Sequence, residues 1–203
     1  MDDIGIVLLE NGEAANDGNS KGTLLKGIDG TAEPGRVYDE VIAGRNDGAA
    51  PQYVRIIITK YWKDAKGVRG TKLDPSLIQL TYEGNEYNSA SWQRNADEHT
   101  AESDTYYYSK ALDPGDTTEP VIDSFRISDK VISEEAGNIK VTSRKEGDRT
   151  IYTYEYIYDG YKACVEADIQ SVQTHNGAHA IEGIWGLNNI SVSDDGLKVE
   201  REE

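Results

Sequence analysis

The stretch QYVRIIITKYW at 52–62 alternates on a period of two, with β-branched residues on both faces. Val54, Ile56, Ile58 and Trp62 fall on one side; Tyr53, Arg55, Ile57, Thr59 and Tyr61 fall on the other. This pattern predicts a central strand with one face in the core and the other partly covered. The apolar run IGIVLL at 4–9 reads as a buried strand. Another strand lies between the Pro34–Gly35 turn and the Asn46–Asp47–Gly48 turn. LDPSLIQLTY at 73–82 predicts a helical turn after Pro75 and then a strand. TYYYSKALDPGDTTEPVIDSFRIS reads as strand, Pro-Gly turn, strand.

RTIYTYEYIYDGYKACVEADIQSVQT predicts two strands joined at Asp159–Gly160, a short-hairpin signal. Tyr152, Tyr154, Tyr156 and Tyr158 line one face of the first, and Ile151, Thr153, Glu155 and Ile157 line the other. NISVS and LKVE close the chain as short strands. Residues 10–30 and 83–104 read as mobile loops, the latter anchored by Trp92. Residues 128–150 read as a charged excursion and 194–203 as an acidic tail. Many short strands with frequent turns predict one all-β domain over 1–203, a jelly-roll-like antiparallel β-sandwich with one or two short helices.

The one extended helix signal is QTHNGAHAIEGIWG at 173–186. On a wheel of 100° per residue, Ala178, Ile181 and Trp185 form an apolar stripe, with His175, His179 and Glu182 at its margin. Thr174 suits the N-cap and Gly186 the stop, while Gly177 and Gly183 weaken the helix, so tertiary packing must hold it.

Composition supports the β reading. The chain has 203 residues, long enough to bury a sizeable core, but only 37% are apolar, which suits a thin core between two sheets. Tyr occurs 13 times against one Phe and one Met. Tyrosine favours strands, where one end is apolar and the other wet. The formal charge of −16 disfavours nucleic acid and anionic lipid as partners. No run of 18 apolar residues is present, so membrane insertion is not expected. The single cysteine, Cys164, shares a strand face with Glu166, Asp168 and Gln170 and has no histidine near it in sequence. It reads as an inert, partly covered thiol.

Candidate chemistry is sparse. Histidines four apart converge on one ion in zinc proteases, and Glu182 could serve as a third ligand beside His175 and His179. Hydrolysis also needs a base acting on the metal-bound water. In the His-Glu-x-x-His pattern the glutamate directly follows the first histidine; here that position is Asn176, which takes no proton. Neither a nucleophile elbow nor a phosphate loop nor a dinucleotide fingerprint is present, so no catalytic residues, bound metal or cofactor are expected. The acidic runs lack calcium-loop spacing. TYYYS and the 152–158 ladder offer a third reading, an aromatic platform for sugars, against cross-strand pairing that stabilises a half-exposed sheet.

The order of EPGRVYDEVIAGRNDGAAPQYVRIIITKYWKD, KLDPSLIQL, Trp92, YYYSKALDPGDTT and YIYDGYKACVEADIQSVQTHNGAHAIEGIWG resembles the camelysin/TasA family of exported bacterial matrix proteins, from about Ile4 to Trp185. The resemblance implies a jelly-roll-like sandwich, secreted after removal of a signal peptide, with fibre-building as its role. It implies other copies of the same chain as partners, together with accessory matrix proteins. One subunit's N-terminal segment would add a strand to the next, completing an open sheet edge. The stretch ahead of Ile4 is short for such a donor strand, which leaves a monomer as the expectation for this chain alone. The camelysin branch carries a metalloprotease label, so a zinc protease using His175 and His179 is the alternative, and a carbohydrate-binding or adhesion module is the third.

Overall fold

The computed structural model describes residues 5–16, 20–28, 32–175, 177–193 and 195–200. The first residue of the strand expected at 4–9, Asn176, Asp194 and the end of the acidic tail lie outside them. Two five-stranded antiparallel sheets face each other. One sheet has the order β2 (Glu13–Ala14), β1 (Ile6–Glu10), β4 (Val37–Asn46), β9 (Ile122–Ile127), β6 (Ile78–Thr81). The other has the order β3 (Lys21–Thr23), β12 (Lys162–Gln173), β5 (Gln52–Lys63), β8 (Ser103–Tyr108), β7 (Trp92–Arg94). From β3 to β7 every connection passes from one sheet to the other, and so does β8 to β9. The all-β sandwich predicted from the alternation is therefore the fold.

β5 occupies the middle of its sheet and pairs with β12 over twelve consecutive residues, from Lys63↔Lys162 to Gln52↔Gln173. Val54, Ile56, Ile58 and Trp62 point inward with Val165, Ala167 and Ile169 of β12. Leu8, Ile42, Ile78 and Phe125 meet them from the facing sheet. The sheets approach closely at Gly44, where a Cβ would lie 2.6 Å from the Ile169 Cδ1. Only glycine permits that approach in a strand interior.

The turn after β4 is built by a buried side chain. Asn46 donates through Nδ2 to the Ala50 and Leu112 carbonyls, both at 2.9 Å, and its Oδ1 accepts from the Gly48 amide and from Gln52 Nε2, also at 2.9 Å. All four bonding positions of the amide are filled, so its complete burial carries no unmet donor or acceptor. Pro75–Leu77 forms the expected helical turn, a 3-10 turn whose Ser76 amide is capped by the Asp74 side chain, and β6 follows directly.

One pairing differs from expectation. The strand bearing the tyrosine ladder, β11 (Arg149–Tyr156), does not pair with β12 across Asp159–Gly160. It pairs with β10 (Ile139–Glu146), inside the stretch read as a charged excursion, and the two form a separate ribbon. The turn between them is Gly147–Asp148, with Gly147 at φ 61°. β12 takes β5 on one edge and β3 on the other, and β11 pairs with the strand just before it across a two-residue turn. Stretches 10–30 and 83–104, read as loops, also supply edge strands: β2 and β3 from the first, β7 from the second. These strands span two or three residues, too short for a periodic signal.

Ile169 is fully buried between the sheets. Ile169→Ala should therefore cost about 3 kcal/mol, read as a drop in the urea midpoint at unchanged slope.

Candidate functional site

The helix signal at 173–186 forms a short α-turn, α1 (Gly177–Ala180), continued by a widened π-type turn over Ile181–Trp185. Gly186 ends it in the left-handed conformation at φ 68°, with its amide bonded to the Glu182 carbonyl, as the sequence suggested. The buried stripe is Gly177, Ile181 and Trp185, while Ala178, expected inside, is exposed. The reason is contact with Tyr53: a Cβ on residue 177 would stand 2.7 Å from that ring's Cε2. The helix lies flat on the sheet because its first residue has no side chain, and a hydrophobicity pattern counts that residue as a breaker.

Trp185 is held by two partners. The Tyr107 ring meets it edge-on at 5.6 Å, and the Arg55 guanidinium sits 4.7 Å from its centroid. Arg55 is itself nearly buried and is satisfied on each side. Its Nε and Nη2 donate to Gln170 Oε1 at 3.0 and 2.7 Å, and Nη1 donates to Tyr107 Oη at 3.1 Å. Glu98 approaches the guanidinium at 3.6 Å. Tyr107 Oη in turn donates to Glu98 Oε2 at 2.6 Å. Burial, first, and then that carboxylate push the Tyr107 phenol well above its ordinary value. The last two strands, β13 (Ile190–Ser193) and β14 (Gly196–Val199), join this cap through Leu197 and close one half of the outer sheet face.

His175, His179 and Glu182 are all exposed on this cap. Among the described residues, no three His, Cys, Asp or Glu side chains gather as a metal site needs. His99 bonds Asp104 at 2.7 Å through Nδ1, far along the chain from the other two histidines. Cys164 is half-buried, and burial raises its thiol pKa above the ordinary value.

The tyrosines divide into two groups. Tyr106, Tyr107 and Tyr108, proposed above for a sugar platform, are buried. Tyr158 is half-buried; its ring packs edge-on to Trp62 and its hydroxyl accepts from the Asp74 amide. Tyr152, Tyr154 and Tyr156 stand exposed on the ribbon, where rings in a row can stack on sugars or on another apolar face.

A second feature lies at the β12 edge, away from the cap. β5 covers one edge of β12 along its whole length, but on the other edge, among the described residues, the only strand is β3, paired with Glu166–Asp168. Two further bonds extend that contact, Leu24 N to Val165 O and Ile169 N to Ser20 O. Odd-numbered residues of β12 thus turn their backbone groups toward the β3 side, and the alternation puts the Ala163 amide on that same edge. Beside it is an apolar slot of about 210 Å³ between the two sheets, lined by Leu25, Ile28, Phe125, Ile127, Ala163 and Val165 among others.

The slot's outer wall, Leu24 to Ile28, is tied down by two interior carboxyl groups. Glu10 Oε1 accepts from the Lys26 amide at 2.8 Å, and Glu40 Oε1 accepts from the Leu25 amide at 3.3 Å. Leu25 is held at φ 66°, a conformation that side-chain-bearing residues seldom adopt. Glu40 is fully buried, and its pKa is raised from 4.5 to about 8, chiefly by burial and next by the charge of Glu10. Nothing in the sequence marks this pair, because Glu40 reads as the polar member of an alternating strand.

Comparison with known proteins finds no match among family models, curated proteins or solved structures. No helix among the described residues is long and apolar enough to cross a membrane.

Two outcomes follow for variants. Trp185→Ala should cost about 3–5 kcal/mol through loss of the cap, while His179→Ala should stay within about 0.5 kcal/mol, both read by urea unfolding. Glu40 holds its proton in the folded chain at pH values where the unfolded chain has released it. Stability should therefore be highest below pH 4.5 as far as this group is concerned, and should fall as pH rises to about 8. In Glu40→Gln that downward slope should be absent, measured as urea midpoint against pH.

Proposed function

We propose that this chain is a secreted, non-catalytic structural subunit of a cell-surface or biofilm-matrix fibre, and that subunits join by strand addition at the open edge of β12. The observation that carries the reading is the half-covered edge beside an apolar slot. A strand laid along Lys162–Cys164 would continue the line of β3, bond to the outward amide and carbonyl of Ala163, and drop alternate apolar side chains between Leu25, Ile28 and Phe125. The resemblance to the camelysin/TasA family supplies the donor, the N-terminal segment of a neighbouring copy. No catalytic role is assigned to His175, His179 or Glu182, because Asn176 stands where the zinc-protease pattern has its glutamate base.

The exported protein should form fibres visible by electron microscopy. Ala163→Pro removes the outward amide without touching the β5 ladder, and should abolish fibre formation with its far-UV circular dichroism unchanged. Fibres from the Ala163→Pro protein equal to those of the unsubstituted one would overturn this mode of assembly. So would an exported protein that stays monomeric across pH and concentration.

A further inference from the structure

We infer that the tyrosine face of the β10–β11 ribbon is a self-contact surface, through which two copies of the chain meet face to face. The register places Tyr152, Tyr154 and Tyr156 opposite Ser143, Val141 and Ile139, so all six share one side of the ribbon. The three tyrosines are 59%, 55% and 48% exposed. At the foot of the ribbon the apolar surface continues into a groove of about 330 Å³, lined by Pro34, Val131, Ile132, Tyr156 and Tyr158 among others. A two-stranded ribbon is marginal by itself in water and gains stability when one face is covered. This ribbon is a separate sheet, joined to neither of the large ones.

Charge decides the occupant. Residues 139–156 carry four basic side chains (Lys140, Arg144, Lys145, Arg149) and three acidic ones (Glu146, Asp148, Glu155). The ribbon is therefore +1, and the remainder of the chain holds −17. Two such bodies repel each other over most of their surface. The ribbon is a nearly neutral island, apolar on one side, where close approach meets no such field. Basic and acidic side chains on its other side pair within the ribbon, Lys140 with Glu155 at 3.8 Å and Arg144 with Glu146 at 3.2 Å, which leaves Lys145 as the one charged side chain on the tyrosine face.

Area sets the strength. Three half-exposed tyrosines offer roughly 350 Å², well under the ~800 Å² per partner of a stable interface. A single pair of ribbons is thus a weak contact. It becomes effective where many copies are held in a row, each engagement raising the local concentration for the next. That last step rests on the fibre reading above; the contact between free chains does not.

Sedimentation equilibrium from micromolar to millimolar protein tests it. The expected result is weak self-association that strengthens with added salt, because salt screens repulsion between the acidic bodies. The combined Tyr152→Ser, Tyr154→Ser and Tyr156→Ser variant should weaken it by about tenfold or more. Lys145→Glu, which adds a negative charge on the tyrosine face, should weaken it as well, and Ala163→Pro should leave it intact. A chain that stays monomeric throughout, or association that survives the triple change, overturns the inference. Association that weakens with salt would mean ribbon docking on an acidic body and also overturns it. Loss of association in Ala163→Pro would reassign it to strand addition, and tyrosine-dependent glycan binding by a monomer would reassign the surface to sugars.

Discussion

The antiparallel pairing of β5 with β12 is the constraint on which the rest of the structure depends. These two strands run side by side for twelve residues and expose three different surfaces. Their inner faces meet the opposing sheet at Gly44 and Phe125 and form the core. Their outer faces, at the Tyr53 and Val172 end, carry the C-terminal cap. At the opposite end, the edge of β12 beyond β3 borders the apolar slot. Displacing that pairing by one residue would turn Val54, Ile56 and Ile58 out of the core and Arg55 into it, so register is held firmly.

Polar groups inside this frame are handled in two ways. Asn46 is buried with all four bonding positions filled and Arg55 with three hydrogen bonds and a carboxylate beside it, and each fixes a neighbouring element: the turn after β4 in one case, the cap in the other. The Glu10–Glu40 pair is different. Two acids share an interior space and hold the Leu24–Ile28 segment by its amides. Burial of Glu40, and next the charge of Glu10 beside it, favour the neutral form and make its ionisation costly. The segment that walls the slot is therefore held by a titrating contact.

Much of the architecture was legible in the chain. The two-residue alternation at 52–62 identified both faces of β5 correctly, down to Trp62 inside and Tyr61 at the surface. Pro75, Gly186 and the Asn46 turn marked boundaries that the structure keeps. Each of these is a local property: a side-chain period, a fixed φ, an amide reaching its own backbone.

What the sequence by itself determined, then, is which segments extend outside 10–30, 83–104 and 128–150, where those strands stop, and that the histidine pair lacks an adjacent base. Tertiary structure alone decided which strands pair. The Asp159–Gly160 turn was a fair hairpin signal, yet β11 paired with β10 across Gly147–Asp148, and β12 took β5 and β3, partners distant in the chain. It decided that Gly177, a helix breaker by propensity, is the contact that seats the helix on Tyr53. It also brought Glu10 to Glu40 and left Tyr152, Tyr154 and Tyr156 outside while burying Tyr106, Tyr107 and Tyr108. Those outcomes depend on distances between residues far apart in the chain, and no local pattern carries that information.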